Sequence, residues 1–421
     1  MDHKIQRTLR CYAAPYQRLW FAVCLFAVSS QRGNLLLVDG VAALAPPADL
    51  AVVERLLHQA HLSLSDVQDV HRVTAKSAFC NALYRVTTTT TTTTRHEEVS
   101  SSSSSFMAKV FSPLASARMH WNKEKKLARS NSSRSSSDNN NNNNSHLFRI
   151  DTLAARHNLG PQIFATLDTP DEPALLMQDC PGRVLTDQDL RNDQGIVRLA
   201  ATALAKLHGL SFLQVSSEEK EHASTPPPNM LWQSCNVLMQ QYADPTWKAS
   251  DSDSNRAWTY DLLVDCIQRH QHELEAQEEN LLITHCGHGD CKPSNLLIFQ
   301  GRNDPEPSIR FLDLELAGTH YVAFDLAKLW RSTEPETATT RDMQRIFLET
   351  YAEHCGRENV NASILQQQVD HLLPLTWLEA AAFFVAMSSS SSKSISERVH
   401  WDALAVERLR SYEKCLSSCS S

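Results

Sequence analysis

No apolar run in this chain approaches the ~20 residues that a membrane-crossing helix needs, which excludes a polytopic membrane protein and stable membrane insertion. A basic excess is missing too. Lys and Arg number 40 against 48 Asp and Glu, a net charge of −8, and a general nucleic-acid binder needs a basic surface to displace counterions. There is no paired-cysteine framework either. The 11 cysteines are odd in number and scattered through a chain too large to depend on disulfides, so they read as reduced thiols in a cytoplasmic setting. What is present is ordinary: 421 residues, 42% hydrophobic and 21% charged, enough for two lobes with their own cores.

The first 35 residues form an N-terminal extension. Lys4, Arg7, Arg10 and Arg18 precede the apolar stretch Leu19 to Val28, which ends in Ser29-Ser30. A basic lead, a short apolar core and small residues make up the pattern of a secretory signal or organelle presequence. A buried helix or a plain extension is the competing reading.

Low-complexity tracts interrupt the remainder. Thr87 to Thr94 with Ser100 to Ser105, Ser132 to Ser145, and Ser388 to Ser392 lack the apolar content to offset ordering entropy and are expected as solvated loops. The flanks Ala82 to Val86 and Phe106 to Phe111 read as neighbouring strands that place Lys109 beside Tyr84. Helices are expected over Ala48 to His61, Ile196 to His208, Tyr260 to Glu275, Arg341 to His354, Ile364 to Met387 and Trp401 to Leu416, and a helix end near His157. Gln162 to Leu167, Ala174 to Met177, Leu296 to Phe299 and Ile309 to Leu312 read as strands. The expected architecture is α+β: a strand-rich region at 36–180, with insertions at 87–105 and 131–145, then a larger helical one at 181–416.

The densest chemical signal is Thr284 to Ile298, THCGHGDCKPSNLLI, followed by Leu312-Asp313-Leu314-Glu315 and Phe324-Asp325-Leu326-Ala327. An Asp and an Asn on one loop, with a second Asp at a nearby strand end, suit phosphoryl transfer. One carboxylate orients the attacking hydroxyl, while the Asn oxygen and the second carboxylate hold magnesium against ATP phosphates. His285, Cys286, His288 and Cys291 invite a zinc reading, but they lie inside a motif that already accounts for them. His288 reads as a hydrogen-bonding residue of the loop.

HGDCKPSN with LDLELAG and FDLAKLW resembles the aminoglycoside phosphotransferase and choline/ethanolamine kinase superfamily. That resemblance implies a bilobal protein-kinase-like fold with a small β-rich N-lobe and a larger helical C-lobe. It implies Asp290 as catalytic base, Asn295 and Asp313 as magnesium ligands, and Lys109 on the α/β phosphates. Glu124 is implied as the acid orienting that lysine, Ser77 and Asn81 as part of the nucleotide loop, and Gln178 to Cys180 as the hinge that meets adenine. Glu315, Trp330, Trp377 and Glu379 are expected around the acceptor, with Glu315 also implied at the metal site, directly or through water. Glu315, Glu379 and Asp290 together would make that pocket acidic and suited to a cationic amino alcohol. The implied activity is ATP- and Mg²⁺-dependent phosphorylation of choline or ethanolamine for phospholipid headgroups, with a homodimer compatible.

Two departures stand out. Ser77, Ala78 and Phe79 occupy the stretch where close approach to phosphate favours glycine. Lys328-Leu329-Trp330-Arg331 stands where the family carries an acidic and aromatic stretch. Alternatives are a kinase for another small hydroxylated substrate, a protein kinase, and a catalytically silent kinase-like binding module. LDLE in place of DFG and the lack of an APE segment weigh against the protein kinase.

Overall fold

The computed structural model describes residues 47–73, 81–93, 99–119, 148–169, 171–210, 228–251, 256–300, 306–331, 338–390 and 394–419. The N-terminal extension, Ser77, Glu124 and the tract at 131–145 lie outside them.

Helix α1 (Pro47–Gln59) buries Val52, Val53, Leu56 and Leu57, the one-sided stripe that helical spacing dictates. It packs on an antiparallel sheet of β1 (Val67–Val73), β2 (Asn81–Thr93), β3 (Val99–Phe111), β4 (Ile163–Leu167) and β5 (Ala174–Gln178). The strand order is β1-β2-β3-β5-β4. Helix α2 (residues 113–119) follows β3, and α3 (Arg149–Arg156) precedes β4. Phe111, Ala115, Phe148 and Leu175 form a small core between them. The chain leaves α3 through Asn158, whose φ of 58° turns it toward Gly160-Pro161.

Thr87 to Thr93 and Ser100 to Ser105 are strand, not loop, and Thr94 lies outside the described residues. Pairing between β2 and β3 continues without a break from Asn81↔Phe111 to Thr93↔Val99. Threonine is β-branched and favours extended backbone, and a hairpin ladder satisfies main-chain groups whatever the side chains are. The neighbours stop earlier: β1 reaches only Thr88, and β5 meets β3 only from Phe106 onward. Beyond that the hairpin pairs with itself among the described residues. Lys109 lies opposite Leu83, one place from the expected Tyr84. Joining Thr88 to Ser104 through an Asn-Gly turn, which suits a two-residue hairpin, should shift the melting temperature by less than ~2 °C. Differential scanning calorimetry of the shortened chain checks this.

The helical region comprises β6 (Gly182–Val184), α4 (Asp187–Asn192), α5 (Gln194–Gly209), α6 (Met230–Val237), the β7 (Lys248–Asp251) and β8 (Arg256–Thr259) pair, and α7 (Tyr260–Glu275). Next come β9 (Ile283–Gly287), β10 (Leu296–Phe299), β11 (Ser308–Phe311) and β12 (Gly318–Tyr321), then α8 (Val322–Trp330), α9 (Ala338–His354), α10 (Ala362–Ser388) and α11 (Ile395–Cys419). Side-chain caps fix several starts. Asp193 accepts from the Ile196 N–H, Thr259 from Leu262 and Asn361 from Ile364. Val197, Ala200, Ala201, Leu204 and Leu207 put the buried face of α5 into one large core shared with α8, α9, α10 and α11.

Two expectations change in α10. Ser388, expected in a solvated tract, is the buried last residue of the helix, with its hydroxyl donating to the Val385 carbonyl at 3.0 Å. The helix is also long and apolar enough to cross a membrane by length and composition, with 72% of the relevant window buried inside the protein. Interrupted polar residues hid that property from a search for unbroken apolar runs.

Candidate active site

The β10–β11 hairpin carries two of the expected residues at its two ends. Asn295 enters β10 and Asp313 leaves β11, and the Leu312 N–H donates to the Asn295 carbonyl at 2.8 Å, tying entry to exit. Asp313 is left-handed, with φ 64° and ψ 50°, a conformation that Asp tolerates better than most residues. The loop from β9 to β10 presents Asp290. Gly289 precedes it at φ 77°, where a Cβ would run into the Leu316 carbonyl oxygen, so only glycine fits.

Asp325 on α8 holds this loop from beneath. Its two oxygens accept the N–H groups of His288 at 2.6 Å and Gly289 at 2.9 Å, and His208 donates to it at 3.0 Å. Burial pulls its pKa upward, but the hydrogen bond from His208 and the neighbouring His208, His320 and His288 rings outweigh it and hold the carboxyl at about 2. His288 is buried and held neutral by desolvation. Its Nε2–H donates to the Leu312 carbonyl at 3.0 Å, and its Nδ1 accepts from the Asp290 N–H at 3.3 Å. It therefore links the loop to the Asp313 strand, as a structural histidine would.

The Asp290 carboxylate meets Lys328 Nζ at 2.9 Å through one oxygen and Lys292 Nζ at 2.8 Å through the other. The Asn295 amide N–H donates to it at 3.0 Å and to its carbonyl at 2.9 Å, which turns the Asn295 amide oxygen the other way. Burial would raise the Asp290 pKa, but the two lysines hold it well below the ordinary carboxylate range.

Lys109 reaches across from β3. It is ion-paired with Asp313 and lies 3.0 Å from Glu315, with its Nζ 4.3 Å from the centre of the Phe111 ring. Asn81 joins them, donating to Glu315 at 2.5 Å. Glu315, expected both beside the acceptor and at the metal site, is thus held with Asp313 on the lysine side. Desolvation raises its pKa, and the Asp313 charge adds to this. Asn295, Asp313 and Glu315 together offer only oxygens, the donor set a hard cation such as Mg²⁺ takes.

Asp151, one turn into α3, was missed. Its carboxyl is pushed up to about 7, chiefly by burial, with the charges of Asp313 and Glu315 adding to this and Lys109 opposing it. A folded pKa above the unfolded value of 3.8 means that the fold binds the proton more tightly. Stability from this group is fullest below about pH 4 and declines as pH rises toward 7. Asp151→Asn should therefore gain on the wild type progressively from pH 4 to pH 7 and level off above, as urea unfolding across that range will show. The signal was available in part: an acid opens the helix that follows the insertion.

The acceptor side departs most from expectation. Glu379 on α10 accepts from Lys328 at 2.9 Å and from Arg118 of α2 at 2.9 Å, so its charge is already matched. Burial raises its pKa, but these two cations lower it below the ordinary value. The expected acidic pocket is therefore neutralised from within. Trp330 lies about 200° around α8 from Lys328 and packs edge-on against Phe347 in the core, away from the site. Trp377 has the guanidinium of Arg331 5.1 Å from its ring centre and that of Arg408 5.3 Å away. At the hinge, the Gln178 N–H is taken by the Gln162 carbonyl at 2.8 Å, while Cys180 lies in the connection to β6.

Among curated proteins, none matches the sequence. The structure resembles an ethanolamine kinase of Plasmodium vivax, with a TM-score of 0.57 and 16% identity over 87% of this chain and 89% of that one. It also resembles a microcompartment-associated aminopropanol kinase, with a TM-score of 0.51 and 15% identity over 88% and 98%. A third match is the choline kinase LicA of Streptococcus pneumoniae, with a TM-score of 0.50 and 13% identity over 87% and 99%. These likenesses establish the bilobal kinase-like fold. The sequence model of the phosphotransferase enzyme family matches residues 147–358, half of the chain, a span that runs from α3 through Asp290, Asn295, Asp313 and Asp325. The protein is a member of the phosphotransferase enzyme family.

Proposed function

We propose that the protein is an ATP- and Mg²⁺-dependent kinase that phosphorylates a hydroxyl group of a small molecule. The observation that carries this is that Lys109 from β3 pairs with Asp313 and Glu315, while Asn295, tied through its carbonyl to Leu312 beside Asp313, donates to Asp290. Lys109 comes from the small sheet and would hold the ATP phosphates. Asn295 and Asp313 would hold magnesium, which when bound offsets the phosphate charge. Asp290, ionised and fixed by two lysines, orients the acceptor hydroxyl and takes its proton. The acceptor oxygen bonds to the γ-phosphorus as the bond to the β–γ bridging oxygen breaks, and ADP leaves with that electron pair. Lys292, 2.8 Å from Asp290, adds positive charge beside the reacting group.

A silent binding module has no need of this full set. The acceptor implied by the sequence resemblance is choline or ethanolamine. Proteins with those substrates in their names share the fold at 13–16% identity, which leaves the acceptor to be argued from the charges of this chain. Lys109→Met tests the kinase reading. The KM for ATP should rise at least tenfold in protein that near-ultraviolet circular dichroism shows to be folded, because the lysine is lost from phosphate binding. Some loss of stability is expected as well, since Asp313 and Glu315 lose a buried partner. An unchanged KM for ATP would mean that Lys109 serves only to pair Asp313 and Glu315.

A further inference from the structure

We propose that the acceptor carries an anionic group, a carboxylate or a phosphate, beside the hydroxyl that is phosphorylated. This rests on the kinase reading above and deepens it. A cationic acceptor needs free carboxylates or open aromatic faces, and among the described residues Asp290, Glu379, Phe324, Phe383 and Trp377 are given to the protein's own cations. Among the described residues, Arg118, Lys292, Lys328, Arg331 and Lys109 stand against Asp290, Glu379, Asp313 and Glu315, five positive charges to four negative ones, and Lys109 takes up Asp313 and Glu315. Lys328, with a side chain 1% exposed, bridges Asp290 and Glu379, and Arg118, 5% exposed, closes the far side of Glu379. Neither carboxylate is left to receive an ammonium group.

The rings are covered in the same way. Lys328 lies 5.4 Å from the centre of Phe324, Arg118 5.9 Å from Phe383, and Arg331 5.1 Å from Trp377. Arg331 also donates to the Thr376 carbonyl. It sits close enough to Asp290 and Glu379 for both charges to act on it. The cations nearest solvent are Lys292, with a side chain 30% exposed, and Arg331, which is partly exposed. A second positive charge brought beside the hydroxyl would meet these two, whereas an oxyanion would be paired by them. Lys328, buried between two carboxylates that Lys292 and Arg118 also hold, cannot move aside without breaking both of its own ion pairs, so the arrangement selects the acceptor's charge rather than adapting to it.

The test is a panel of acceptors given to the full chain with Mg·ATP, with ADP release and acceptor phosphate both measured. Choline and ethanolamine form the cationic arm and glycerol the neutral one. Glycerate forms the carboxylate arm and glycerol 3-phosphate the phosphate arm, so the two anionic arms tell which oxyanion is preferred. The expected result is a kcat/KM at least tenfold higher in one anionic arm than in the cationic and neutral arms. Arg331→Gln should raise the KM for that acceptor at least fivefold with the KM for ATP unchanged. Equal or better turnover of the cationic or neutral arm overturns the proposal and leaves the kinase reading standing, as does an unchanged acceptor KM in Arg331→Gln. Turnover in no arm overturns the proposal as well. Lys109-dependent binding of Mg·ADP then decides the kinase reading separately. If Arg331→Gln does not fold, the panel on the unaltered protein decides alone.

Discussion

Asp290→Asn should lower kcat by about 10³-fold, within the range that a positioned acid or base contributes, while leaving the protein folded. Asparagine keeps the size and one oxygen but loses the charge that accepts the acceptor's proton. Folding should survive because Lys328 keeps Glu379 at 2.9 Å and the Gly289 carbonyl at 3.0 Å, and the loop stays anchored to Asp325. The KM for ATP should change less than threefold, since Lys109, Asp313 and Glu315 are untouched. Steady-state kinetics on a verified acceptor, with near-ultraviolet circular dichroism as the folding control, measures all three. A kcat within tenfold of the wild type would remove Asp290 from the proton's path.

The second large effect falls on stability. Glu379→Ala leaves Lys328 and Arg118, 1% and 5% exposed, without the carboxylate they share. Breaking a buried ion pair by removing one partner costs roughly 3–5 kcal/mol, because the remaining charge stays desolvated. Urea unfolding should show a loss of that size. Adding Lys328→Met should restore part of it: the unmatched lysine is gone, and Arg118 retains the Ser234 hydroxyl at 2.8 Å. A loss below ~1 kcal/mol in the single variant would show that Lys328 finds enough compensation in Asp290 alone.

The residues that sequence reasoning placed well are those that local geometry holds together. Asp290 and Asn295 share one loop, and Asp313 closes the hairpin that Asn295 opens, so their spacing in the chain is nearly their spacing in space. The helices over α5, α7 and α10 were equally readable, because an apolar stripe and a capping residue are local signals. The rest depends on distant meetings. Arg118 and Glu379 are 261 positions apart, and Lys328 and Glu379 are 51 apart. Nothing in either neighbourhood announces that the carboxylate will be neutralised, so a pocket counted by its acids appeared acidic. Trp330 was misplaced for a simpler reason. A helix sends residues two apart to opposite sides, and α8 turns Lys328 to the site and Trp330 to the core. The threonine tract was misread because apolar alternation identifies a strand that packs, whereas this ribbon is held by backbone pairing.

That ribbon has a consequence for how the chain can change in length. From Thr87↔Ser105 to Thr92↔Ser100 every rung sets a threonine against a serine. Sliding one strand past the other by two residues gives the same neighbours on the same faces, so the tract carries almost no register information of its own. Register is set at the base, where Val86 meets Phe106 and Tyr84 is buried. An equal gain of threonines on one strand and serines on the other would move only the far end of the ribbon. Lys109 lies on the body side of that base, so the distance from its amine to Asp313 is insulated from copy number.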